Sequence, residues 1–297
     1  MEPSPSSHPS FKECFPKFYE LMNAGEFDQI FYKHQHQEDM WKVYGVIEQQ
    51  IFEKCKDELS GILGQALEDC MMCGFCHIHT LIATYNVLRD DRFGGLSGEI
   101  QNQLLWAALC HDLGKRGKAD FEGKDHIHPF RSAAYFVNIL KNNNLIKDEL
   151  RDKADELSEL VFNAHTDIQY EWFQRETRRF PDKVCDQMHD HSKLEDIFNL
   201  LEEVADGSLF IKNVFVVILF HQSIWGIKDF EPMKRLEDEE IVEYKEYLNE
   251  DVLNMLDIFM HCDSYAYTII GESEKIVMQY RKEISTEIKR ISCLLGF

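Results

Sequence analysis

Positive charge is scarce in this chain: 32 lysines and arginines stand against 53 aspartates and glutamates, for a formal net charge of −21. Such a field repels polyanions, which disfavours extended nucleic acid and anionic membrane surfaces as main partners and leaves small phosphorylated molecules open. Long apolar runs are missing too. The stretch Val214 to Phe220 is among the longest, far short of a bilayer span. The first residues, MEPSPSSHPS, show no basic segment followed by an apolar one, so a soluble, cytoplasmic protein is expected. Alternation of apolar and polar residues, the mark of half-buried strands, is absent, and no strand hairpin is expected.

What is present is helical periodicity. With 297 residues, 44% of them hydrophobic, the chain can bury a large core. Apolar spacing predicts helices over 11–23, 38–69, 77–89, 98–112, 129–142, 147–165, 208–222, 237–266 and 273–294. Ser97 is placed to cap one helix, and Pro129 suits the first turn of another. The expected architecture is all-α: a loose tail over 1–10, then a single helical domain over 11–297 with a polar insertion over about 166–207. That insertion holds Tyr170, Trp172, Phe173, Arg175, Arg178 and Arg179, which reads either as a lid over an anionic substrate or as a solvated helix with snorkelling arginines.

Nine cysteines without a secretory signal fit reduced thiols. The run Cys70-x-x-Cys73-x-x-Cys76 has a spacing that can hold zinc or an iron–sulfur cluster, but Thr80 stands where a ferredoxin-type run has its fourth cysteine. Buried, inert thiols are the expectation.

The chemistry-bearing residues are polar groups on apolar helical faces. Leu104, Ala108 and His111 share one face, so His111 points inward with Asp112 beside it. A buried imidazole and carboxylate need partners, and a divalent ion would serve. By contrast His189-Asp190-His191 sits in a polar, aperiodic stretch and reads as surface. His79 aligns with Ile82 and Ala83, Asp263 with Leu256 and Met260, and His165 ends a stripe through Leu150, Ala154, Leu157 and Val161. His128 opens a helix carrying Phe130, Ala134 and Val137, and His221 ends the apolar run from Val214.

The order His79-Thr80-Leu81, His111-Asp112-Leu113-Gly114-Lys115, His128-Pro129-Phe130-Arg131 and His261-Cys262-Asp263 resembles the HD-domain superfamily of metal-dependent phosphohydrolases, over roughly residues 75 to 270. The resemblance implies a helical bundle with extra N- and C-terminal helices. It also implies one metal held by His79, His111, Asp112 and Asp263, and a possible second held by His128 with either His165 or His221. His165 is favoured because it follows His128 by one helical hairpin. His77 rivals His79, but Thr80 matches the small or hydroxyl residue usual after the family's first histidine. The implied catalytic residues are Asp112, Lys115 and His128; Lys115, Arg131, His165 and His221 are the implied substrate-binding residues. The ion would be one or two of Mn, Fe, Mg, Co, Ni or Zn, since imidazole and carboxylate do not select among them. The implied substrate is a phosphomonoester or phosphodiester, such as a nucleotide or another small phosphorylated compound; a short oligonucleotide gripped by Arg175 to Arg179 also fits. Two other readings use the same residues: a diiron oxygenase of the same superfamily, and a nucleotide-binding regulator without turnover. The 38–69 segment and the C-terminal helix either complete the core or form a homodimer surface.

Overall fold

In the computed structural model the described residues are 9–34, 40–116, 125, 127–167, 187–224, 235–268 and 274–297. They form an all-α architecture of helices α1 (Phe11–Cys14), α2 (Pro16–Asn23), α3 (Glu26–His34), α4 (Met40–Ile47), α5 (Glu53–Leu63), α6 (Gln65–Met72), α7 (Cys76–Arg89), α8 (Gly98–Cys110), α9 (His128–Asn142), α10 (Arg151–Phe162), α11 (Leu194–Ala205), α12 (Leu209–Phe220), α13 (Asp238–Glu243), α14 (Glu250–Thr268) and α15 (Glu274–Leu295). None of the helices among the described residues is long and apolar enough to cross a membrane.

Helix boundaries follow local chemistry. Ser97 caps α8 by accepting a hydrogen bond from the Ile100 amide, Ser208 does the same for Ile211 in α12, and Pro129 lies in the first turn of α9. Two expected long helices are interrupted. The 38–69 segment passes through a π-helical turn at Glu48–Phe52 and breaks at Gly64, whose φ of +53° suits glycine. The 237–266 segment splits where Asn249 accepts from the Val252 amide and restarts the helix as α14.

The core is continuous through the centre of these helices. Helix α8 lies at its middle, packed by α7, α9, α12 and α14. Trp106 of α8 meets the rings of Phe11, Phe15 and Phe210 at centroid distances of 6.1, 5.1 and 6.1 Å, so the chain is docked from the first turn of α1. Pro9 already joins in, its carbonyl accepting from Trp106 Nε1 at 3.3 Å. Val43, Ile47, Phe52 and Leu59 from the 38–69 segment and Ile284, Ile288 and Ile291 from α15 are buried, so both segments contribute to this core.

Two expectations about the 166–207 stretch are corrected. A short antiparallel pair does form there, β1 (His165–Asp167) with β2 (Gln187–His189), in register His165 opposite His189 and Asp167 opposite Gln187. Its last third is not polar throughout: it forms α11, which buries Leu194, Ile197, Phe198, Leu201 and Val204 against the core. These recur every three or four residues, so the helical signal was present beneath an acidic outer face. Tyr170, Trp172, Phe173, Arg175, Arg178 and Arg179 lie outside the described residues.

Candidate metal centre

Five helices deliver side chains to one buried spot. His79 is in the first turn of α7, and Asp263 lies in the fourth turn of α14, which packs along it. His111 and Asp112 are in the turn that ends α8, His128 opens α9, and His221 ends α12. Asn86 of α7 donates to the Cys262 carbonyl at 3.1 Å, keying the two helices together beside Asp263.

The side chains form two groups, each with ligand atoms close enough to share an ion: His79, His111 and Asp263, and Asp112, His128 and His221. Asp112 faces both. Its Oδ2 is 3.7 Å from His79 Nε2 and 3.6 Å from His111 Nε2, while its Oδ1 is 2.8 Å from His128 Nε2. Asp263 Oδ1 lies 2.7 Å from His79 Nε2 and 3.3 Å from His111 Nε2.

Three of the histidines are oriented the same way. His111, His128 and His221 each direct Nδ1 at a backbone carbonyl three residues earlier, those of Ala108, Asp125 and Ile218. When Nδ1 is the donor of a neutral imidazole, Nε2 carries the lone pair, so these contacts aim three lone pairs into the centre. His111 Nε2 is buried and without a hydrogen bond. His128 Nε2 faces Asp112 Oδ1 at 2.8 Å, a contact that is favourable with a proton on that nitrogen or with a cation held by both groups. The donor set therefore fits a divalent metal ion, and imidazole with carboxylate is its ordinary ligand chemistry.

Burial opposes ionisation of Asp112, but Lys115, His111 and His128 outweigh it and hold the carboxyl well below the usual carboxylate range. Asp263 is lowered in the same sense, with His111 and His79 overcoming burial. Burial lowers His79 and, with the charges of His128 and His111, brings His221 down to about 3; for His111 burial is outweighed by Asp112 and Asp263, and its pKa rises.

Comparison with known family models, curated proteins and solved structures finds no match.

The remaining sequence candidates fall into place around this centre. Lys115, partly exposed, donates from Nζ to Asp112 Oδ2 at 2.7 Å. Arg131 is buried and ion-paired with Asp125, and its Nε donates to the Gly114 carbonyl at 2.9 Å. It ties the turn after Asp112 to the start of α9, together with the Gly114 amide donating to Ser132 Oγ at 2.9 Å. His165, the favoured second-group ligand, sits on β1 outside both groups, and His221 takes that place. The expected helix stops at Phe162, so His165 never presents a helical face to the centre. His77 also stays outside the groups, packed on Phe52 at 4.7 Å between ring centroids and 3.5 Å from Glu48. His189 and His191 are not surface residues: His189 stacks on Phe130 at 4.1 Å, and His191 Nδ1 faces both Glu240 carboxylate oxygens at 3.1 Å.

Sequence reasoning missed Gln222, whose amide Nε2 is 3.2 Å from His128 Nε2. It also missed Asp125, which accepts from the Arg116 amide and Arg131 while its own carbonyl orients His128. A signal for Asp125 existed in its position three residues before a candidate ligand, the same offset as Ala108 and Ile218.

Proposed function

We propose that this centre is the active site of a metal-dependent phosphohydrolase of the HD type, acting on a phosphomonoester or phosphodiester such as a nucleotide. The observation that carries the reading is that the four sequence segments resembling that superfamily bring His79, His111, Asp112, His128 and Asp263 together, with Asp112 in one ligand group and facing the other. His79, His111, Asp112 and Asp263 would hold one ion, and His128 and His221 would join Asp112 in holding a second.

A divalent ion in such a site supplies Lewis acidity toward a phosphoryl oxygen and acidifies a water. The chain's own residues do the rest. Asp112, kept ionised by Lys115 and the histidines, is a carboxylate able to accept a proton from an attacking water. Lys115, at the partly open edge beside Asp112, adds positive charge for the phosphate oxygens. Gln222 extends an amide beside His128, within reach of a polar group entering the site. The backbone carbonyls behind His111, His128 and His221 fix the imidazoles before substrate arrives, which is the positioning that such chemistry demands.

The test is hydrolysis of an aryl phosphomonoester, an aryl phosphodiester and a nucleotide panel with each divalent ion, comparing wild type with His111→Ala and Asp112→Ala. Turnover by wild type and its loss in both variants supports the reading; inactivity with every ion rejects it. The diiron oxygenase reading gains from His221 completing a six-residue ligand set, and an iron chromophore with oxygen uptake would decide for it.

A further inference from the structure

The segment Cys73-Gly74-Phe75-Cys76 takes no part in the metal centre, yet it forms the entrance to the helix that carries His79. Cys73 and Cys76 are joined as a disulfide with their Cα atoms 5.7 Å apart, within the span that such bonds bridge. This departs from the expectation of inert thiols for all three cysteines of the run. Cys70, the third, does behave that way: it is fully buried, with its Sγ 3.7 Å from the Asp112 carbonyl. Cys73 and Cys76 are instead both partly exposed, where a small reagent can reach them. Gly74 between them has a φ of +90°, so the tight turn that juxtaposes the two sulfurs is built on the residue type that tolerates it.

We infer that Cys73 and Cys76 form a reversible thiol–disulfide couple that reacts with small-molecule thiols and disulfides and controls the order of the first turn of α7, where His79 resides. Three observations carry this. The pair has the Cys-x-x-Cys spacing of reactive dithiols, and Cys76 is the first residue of a 14-residue helix, where the helix dipole favours a thiolate. Both residues are partly exposed while the neighbouring Cys70 is fully buried. The turn they close is bonded directly to the ligand helix, since the His79 amide donates to the Phe75 carbonyl at 2.9 Å.

The exchange balances as follows. A Cys76 thiolate attacks a small-molecule disulfide, giving a mixed disulfide and releasing one thiol; the Cys73 thiol then loses its proton and displaces the second thiol as the Cys73–Cys76 bond forms. The protein gives up two electrons and two protons, and the small disulfide leaves as two thiols. Reduction is the reverse.

The test uses the full chain equilibrated in buffers of varied reduced-to-oxidised glutathione ratio, quenched with acid, alkylated and mapped by mass spectrometry. Cys73 and Cys76 are expected to pass from both alkylated to both unalkylated, lighter by two hydrogens and without bound glutathione, in one transition, while Cys70 beside them stays alkylated; the exposed Cys293, outside the disulfide, serves as the control thiol. Hydrogen exchange at residues 77 to 81 is expected to be faster in the reduced form and in Cys73→Ser, and Co²⁺ affinity to differ by about fivefold or more between the two forms of wild type but not of that variant. Two thiols at every ratio, glutathione adducts in place of the internal bond, or identical exchange in both forms overturns the inference. The Co²⁺ comparison rests on the metal reading above; trapping and exchange need neither metal nor turnover, so failure of the hydrolase reading is separable from failure of this one.

Discussion

At the residue scale, the centre distinguishes side chains that share a type and a neighbourhood. His77 and His79 are two positions apart on one helix and both are buried. Only His79 belongs to a ligand group, with Asp263 Oδ1 at 2.7 Å; His77 packs on Phe52 with the Glu48 carboxylate 3.5 Å away, and burial pulls its pKa down to about 4. Replacing His77 with Phe is expected to leave divalent-ion affinity within about threefold of wild type, whereas His79→Ala lowers it by at least about tenfold, both read by calorimetric titration with Mn²⁺. Equal losses would mean that the two are not distinguished as described. Gln222 gives a finer case. Gln222→Ala should retain metal binding but lower kcat/KM for phosphate esters several-fold, because its amide sits beside a ligand rather than in the ligand set.

At the scale of elements, the site depends on how closely the end of α8 approaches the start of α9. A side chain on Gly114 would place its Cβ 2.5 Å from the Ser132 backbone nitrogen and 2.6 Å from Arg131. Gly114→Ala must therefore push the two helices apart. The expected cost is about 1–3 kcal/mol of stability by thermal unfolding. Because Asp112 and His128 flank this contact, metal affinity should fall as well. Unchanged stability and affinity would contradict the close packing. Much of this was legible in the sequence: the periodicity through Leu104, Ala108 and His111 marks both the helix and its inward ligand. What hid the rest was competition between local signals. Leu194, Ile197, Phe198 and Leu201 carry a core stripe, but acidic residues between them and the polar stretch around them mask it. His165 ends an apolar stripe that continues in register past the helix end at Phe162, and nothing local reveals that the backbone turns into a strand there. His189 reads as surface in the sequence because its stacking partner Phe130 is 59 residues away along the chain, and such a contact leaves no periodic trace.

At the scale of the whole molecule, five helices drawn from residues 76 to 268 end on or cross one polar cluster inside a largely apolar core. Collecting two carboxylates and four imidazoles there is unfavourable until the charges are neutralised, so a bound ion should stabilise the fold. Divalent metal at about 100 times its Kd is expected to add about 2.7 kcal/mol, seen as a rise of a few degrees in Tm that EDTA reverses. Asp112→Ala should show no such rise. A Tm indifferent to divalent ions would argue that the cluster is satisfied by protons alone.

The most direct measurement of the central claim is metal stoichiometry in the intact protein, by elemental analysis after dialysis against Mn²⁺, Fe²⁺ or Co²⁺, for wild type and for Asp112→Ala, His221→Ala and His165→Ala. With two ligand groups side by side and Asp112 facing both, wild type should carry up to two ions per chain. His221→Ala should lose one of them, Asp112→Ala both, and His165→Ala neither. Wild-type metal content in Asp112→Ala, or loss in His165→Ala but not in His221→Ala, would contradict the arrangement described for this centre.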